Sequence, residues 1–147
     1  MNQEKFRVYL AVGVILEKED QILLLRRHAT GFKDGFYSLV CGHLEEGEGS
    51  TAAIVRETKE EVGVQLEPQD LMVAHITHRK DSDRNCEYID IFFIAKSWQG
   101  EPVNQEPDKC DEMKWFHKND LPTAILPNTK FALEEISKKH FYGEFGW

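Results

Sequence analysis

The sequence is short of the features that mark several protein classes. It holds three cysteines, Cys41, Cys86 and Cys110, an odd number without Cys-x-x-Cys spacing, which argues against a disulfide framework and against a structural zinc site. Its six histidines show no metal-ligand spacing either. The longest apolar run, Val8 to Leu16, contains Gly13 and is too short to span a bilayer. The start, Met1 to Phe6, has neither the basic stretch nor the apolar segment of a secretory signal. Positive charge is scarce: 18 Lys and Arg face 26 Asp and Glu, for a formal charge of −8. Cationic neutralisation of phosphates supplies most non-specific affinity for nucleic acid, so this balance works against such a partner. Internal repeats and low-complexity tracts are absent. The expectation from these absences is a soluble protein of a reducing cytoplasm, with no membrane and no nucleic-acid partner.

What is present is an ordinary globular mix. Hydrophobic residues make up 41% and charged residues 30% of 147 residues, enough apolar surface to fold one core, so residues 1–147 are expected to form a single domain. Phe6 to Leu16 reads as a strand, Glu17 to Gln21 as a turn and Ile22 to Arg26 as a returning strand, which makes a hairpin. Gly31 to Gly35 is a loop, Tyr37 to Cys41 a short β-prone run, and His43 to Gly49 an acidic loop. A helix follows, with Ser50 and Thr51 able to cap its start and Gly63 placed to end it. Leu71 to His78 and Glu87 to Trp98 read as two strands around a charged loop. Gln99 to Cys110 should be irregular, Glu112 to His117 a short strand and Thr129 to Lys139 a second helix. Strands interleaved with two helices predict an α/β (α+β) fold in which a mixed sheet lies between helices, an α/β/α sandwich.

The first helix carries the chemistry. At about 100° per residue, Glu57, Glu60 and Glu61 fall within roughly one quadrant, while Val55, Thr58 and Val62, with Ala52, lie towards the packing side. A Glu-rich helix face is most often simply solvated. Gathering like charges on one face nevertheless costs stability, and a divalent cation is the natural compensation. Oxygen-only ligands favour Mg²⁺ or Mn²⁺.

The surrounding residues resemble the signature of the Nudix hydrolases: Gly, five residues, Glu, seven residues, then Arg-Glu-aliphatic-any-Glu-Glu-any-Gly-aliphatic. Gly42, Glu48, Arg56, Glu57, Glu60, Glu61, Gly63 and Val64 all match, and Thr58 at the first aliphatic position is the one departure. The resemblance implies hydrolysis of a nucleoside diphosphate linked to another group. It implies metal binding by Glu57, Glu60 and Glu61 with the backbone carbonyl of Cys41, orientation of a glutamate by Arg56, and support from Glu48. Gly42 would serve the loop's geometry and Gly63 the helix stop. Glu60 or Glu61 stands beside Glu106 and Glu112 as the general base or a further metal ligand.

The substrate is less legible. The run Gln105 to Phe116, with Leu121-Pro122, resembles a segment of MutT-like nucleoside triphosphate diphosphatases. That favours a small-molecule (d)NTP substrate cleaved to the monophosphate and pyrophosphate. ADP-ribose or a nucleotide sugar is the alternative, although Arg79 to Ser82 lack the Pro and Tyr that mark subfamilies acting on ADP-ribose and on diadenosine polyphosphates. A nucleotide-binding module without turnover is a third reading, disfavoured because every helix glutamate is present. Arg26, Arg27, Arg79 and Lys80 are candidate phosphate contacts, though solvated charge is the commoner fate of such residues. Phe36, Tyr37, Phe92 and Trp115 could stack on a base or simply pack the core. His43, beside Gly42, is expected near substrate. Asn128 either reads a base edge or, the favoured reading, caps the last helix. A monomer and a homodimer both fit the sequence.

Overall fold

Two hydrophobic faces of one strand organise the molecule. In a computed structural model that describes residues 3–147, β1 (Tyr9–Lys18) buries Val12, Val14 and Leu16 on one side and Ile15 on the other. A strand covered on both faces reads as a continuous apolar run rather than an alternating one. β1 lies at the centre, antiparallel to β4 (Val40–His43) and parallel to β6 (Cys86–Ala95). β6 continues antiparallel to β5 (Leu71–Asp81), which runs parallel to β8 (Tyr142–Phe145), so the sheet is mixed. β2 (Gln21–Arg27) pairs antiparallel with β3 (Tyr37–Ser38) and β7 (Cys110–His117).

The expected hairpin is only two residue pairs long. Glu17 pairs with Ile22 and Lys18 with Gln21, after which β1 and β2 part into different sets of partners. Glu19 and Asp20 between them have φ of 52° and 63°, the left-handed pair of a tight primed turn.

Helix α1 (Ser50–Val62) covers one face of the sheet and α2 (Pro127–Ser137) the other. On the α1 side Ala53, Ile54 and Val62 meet Val12, Val14, Leu16, Leu25 and Phe93; on the α2 side Ala132 joins Ile15, Leu24, Leu39 and Phe92. This is the anticipated sandwich of helices around a mixed sheet. No helix among the described residues is long and apolar enough to cross a membrane.

Several local expectations need correction. The N-cap of α1 is Gly49, and Ser50 and Thr51 lie inside the helix without a side-chain cap bond. Ala52 is exposed, and the packing side is carried by Ala53, Ile54, Thr58 and Val62. β1 begins at Tyr9 rather than Phe6, which is 74% exposed. β6 ends at Ala95, and Trp98 beyond it stacks on Trp115 at 6.0 Å. Asn128 is not the cap of α2: Leu126 holds that position without a side-chain bond, and Pro127, with no N–H to leave unsatisfied, opens the helix. The short edge strand β8 has no counterpart in the sequence reading.

Candidate active site

Helix α1 ends where the left-handed conformation of Gly63 (φ 71°) lets its N–H reach the carbonyl of Lys59. The loop between β6 and β7 is sewn onto this helix end by Val103 N–H to Val62 O at 2.9 Å and Gln105 N–H to Glu61 O at 3.0 Å, which brings Glu106 to the acidic face. On the other flank β4 runs past the helix. A side chain on Gly42 would put its Cβ 2.2 Å from the Glu57 carboxyl carbon, so Gly42 makes room for a carboxylate. It lies in a strand without positive φ, which replaces the expected role in loop geometry. Thr58 is fully buried and donates its hydroxyl to Ile54 O at 2.6 Å, so the one departure from the signature faces the core.

Arg56 is the hub. It grips Glu48 with two bonds, Nε to Oε2 at 2.8 Å and Nη2 to Oε1 at 2.9 Å. Nη1 reaches Glu57 at 2.9 Å and Glu60 at 3.2 Å, and Nη2 reaches His43 O at 3.1 Å. A planar guanidinium can hold this fan of acceptors where an ammonium could not. The Arg56 bond, helped by the Glu45 N–H, lowers the Glu48 carboxyl to about 2.

Glu57 and Glu61 both shift the other way from Glu48. Burial raises Glu57 above the usual carboxylate range despite Arg56. Glu61 is pushed well above it by burial and by the charges of Glu57, Glu106 and Glu60, against one lowering bond from the Cys41 N–H at 3.0 Å. Glu60, with a side chain 51% exposed, is turned towards Arg56. These carboxylates surround a cavity of about 700 Å³, to which Glu106, Arg26, Arg27 and Lys109 also contribute. Among the described residues no three acid, imidazole or thiol groups converge on one point as they stand. The donor chemistry nevertheless fits a hard divalent cation: an all-oxygen set in which burial and mutual repulsion leave negative charge compensated from one side only.

Glu112 does not line this cavity. It accepts a bond from the Tyr37 hydroxyl and pairs with Arg26 at 3.0 Å. Arg26 itself is held by Asp111 at 2.7 Å. Arg27, by contrast, donates its side-chain N–H groups among the described residues only to neutral acceptors, Phe32 O at 2.8 Å and Thr30 Oγ1 at 3.1 Å, and stays available to an anion.

A second cavity, of about 370 Å³, shares Arg27, Leu39 and Cys41 with the first. His43 and Asn128 both line it. The His43 imidazole is lowered by burial and by the nearby Arg84 and Arg79, and its ring lies 5.7 Å from that of Tyr88. Arg79 is committed to the buried Asp90 by bonds of 2.6 and 3.1 Å. Of the aromatic candidates only Phe92 borders this cavity, while Tyr37 packs edge-on against Phe116 and Trp115 stacks on Trp98. Phe32, Arg84, Tyr88 and Thr129 also line it, with no signal in the sequence that marks them. They come from three separate segments, and no spacing rule links them.

The NUDIX domain family model matches residues 8–138. The chain is 35% identical over 141 residues to the ADP-ribose pyrophosphatase of Methanocaldococcus jannaschii, covering 93% of this chain and 80% of that protein. It is 28% identical over 123 residues to the 8-oxo-dGTP diphosphatase of Escherichia coli, covering 82% and 92%. Some other curated relatives are longer, and the chain spans 36% to 39% of their length. The crystal structure of a MutT NUDIX hydrolase from Burkholderia pseudomallei superposes with a TM-score of 0.80 at 26% identity, covering 88% of this chain and 98% of that one.

Proposed function

This chain belongs to the Nudix hydrolase family, and from that premise we propose that it is a Mg²⁺-dependent pyrophosphohydrolase that cleaves a nucleoside triphosphate to the monophosphate and pyrophosphate. The observation that carries the reading is the pair of adjoining cavities. One is walled by Glu57, Glu60, Glu61 and Glu106, and the other is a nucleoside-sized space joined to it through Arg27, Leu39 and Cys41. A single nucleoside site beside a single acidic site suits a substrate with one nucleoside and a phosphate chain.

Glu57, Glu60 and Glu61, with the Cys41 carbonyl, would hold Mg²⁺ or Mn²⁺. When bound, such an ion neutralises phosphate charge and lowers the pKa of a bound water. Arg56 positions Glu57 and Glu60, and Glu48 in turn fixes Arg56. Arg27 meets phosphate oxygens between the cavities. Glu106, beside the cluster, takes the proton from the water that attacks phosphorus as the P–O–P bond breaks. Glu112 is left out of this role by its ties to Arg26 and Tyr37.

Cleavage of ADP-ribose or a nucleotide sugar by the same residues is the second reading, favoured by the 35% identity to an ADP-ribose pyrophosphatase. A panel of NTPs, dNTPs, ADP-ribose and nucleotide sugars with Mg²⁺, resolved by chromatography, separates the two. Turnover of triphosphates is expected, and rapid ADP-ribose cleavage with inert triphosphates reverses the order. Glu60→Gln, which removes charge with little change in volume, should lower turnover by ~100-fold with an unchanged circular dichroism melt. Near-normal turnover in that variant removes Glu60 from the metal set.

A further inference from the structure

The smaller cavity carries charge for which pyrophosphate cleavage has no use. Lys33 and Arg84 line it and do not line the carboxylate cavity. Lys33 forms no ion pair among the described residues. Its ammonium group instead lies 5.8 Å from the Phe36 ring centre. Arg84 lies 4.2 Å over the Phe32 ring and meets Asp81 only at 3.8 Å. The acids on this cavity are Asp81, Asp83 and Asp90, and Arg79 already engages Asp90 at 2.6 Å and Asp81 at 3.7 Å. The result is a local excess of cations in a protein of net charge −8.

The N-terminus of α2 opens onto the same cavity. Pro127, Asn128 and Thr129 line it, and the Leu126 N-cap supplies no side-chain acceptor. The N–H groups of Asn128 and Thr129 therefore lack partners within the helix. Thr129, only 4% exposed, lies against the cavity beside them. Open backbone donors at a helix start and cations in excess of the neighbouring acids favour the same ligand, an anion.

We propose that this cavity receives the ribose end of a nucleotide bearing a further phosphate there, so that the preferred ligands are 2′- or 3′-phosphorylated nucleotides rather than those whose only charge is the 5′ phosphate chain. The proposal rests on the reading that the nucleoside part occupies this cavity. A phosphate monoester brings a charge of about −1.5 to −2 to Lys33 and Arg84.

Calorimetric titration tests this without turnover. The probes are adenosine and guanosine 5′-monophosphates and their 2′,5′- and 3′,5′-bisphosphates. One bisphosphate is expected to bind at least ~10-fold more tightly than its monophosphate at low salt, with the advantage shrinking as screening increases. The advantage should be lost in Lys33→Ala/Arg84→Ala protein whose melt is unchanged. Equal affinity for mono- and bisphosphates overturns the proposal. So does an absence of binding by both series, or an advantage that survives the double substitution. Failure of every nucleotide in the hydrolysis panel overturns the proposed activity instead, since bisphosphate binding is read independently of cleavage.

Discussion

At the scale of single residues, the site depends on what neighbours leave room for. Gly42 is the sharpest case, because any Cβ there collides with the Glu57 carboxylate. Gly42→Ala should displace that carboxylate and lower kcat on the order of 10–100-fold, while a thermal melt shows the fold retained. Steady-state kinetics with wild-type activity would remove Gly42 from the site's support. Thr58 gives the complementary prediction. Its hydroxyl spends its bond on a carbonyl one turn back in the core, so Thr58→Val should be neutral or stabilise by up to about 1 kcal/mol by chemical denaturation. The acids of the signature are readable from the chain because helical periodicity alone puts Glu57, Glu60 and Glu61 together. The partners of Arg26 were not readable, since Asp111 and Glu112 reach it across the β2–β7 pairing, at a register shift between Arg26 and Arg27.

At the scale of elements, helix ends and turns carry local strain that sequence chemistry reveals unevenly. Gly63 is legible as a helix stop, and the structure gives the reason in its φ of 71°. Gly63→Ala should cost about 1–2 kcal/mol for the left-handed backbone, with its Cβ also crowding the Gln105 amide at 3.0 Å. A melting temperature lowered by roughly 3–8 °C in scanning calorimetry is the expected result. The β1–β2 turn offers the reverse test. Glu19 and Asp20 sit at positive φ, so Glu19→Asn with Asp20→Gly should stabilise by about 0.5–1 kcal/mol, read from the denaturation midpoint. β8 is illegible in the sequence for a physical reason. Tyr142 is 53% exposed and Gly143 is there to admit the Phe131 ring of α2, so no alternating apolar pattern marks the strand.

At the scale of the whole molecule, an acidic protein concentrates buried carboxylate charge at the meeting of α1, β4 and the loop bearing Glu106. Binding of Mg²⁺ should therefore raise stability as well as activity, by about 2.7 kcal/mol at a hundred times the dissociation constant. Thermal shift assays with Mg²⁺ and with a chelator read this directly. Glu61→Gln should melt higher than wild type in chelator and lose most of the response to Mg²⁺, whereas an undiminished response would exclude Glu61 as a ligand. The sequence by itself determined the acid-bearing helix, the strand-rich frame and the family resemblance, because these rest on periodicities and spacings within short windows. Only the tertiary structure decided that Glu106 joins the acidic cavity while Glu112 leaves it, that Asn128 borders a cavity instead of capping α2, and that Phe32, Arg84 and Thr129 line one space. Those choices follow from strand register and from loops brought together across the sheet, where contact is set by the packing of distant segments and leaves no local pattern in the chain.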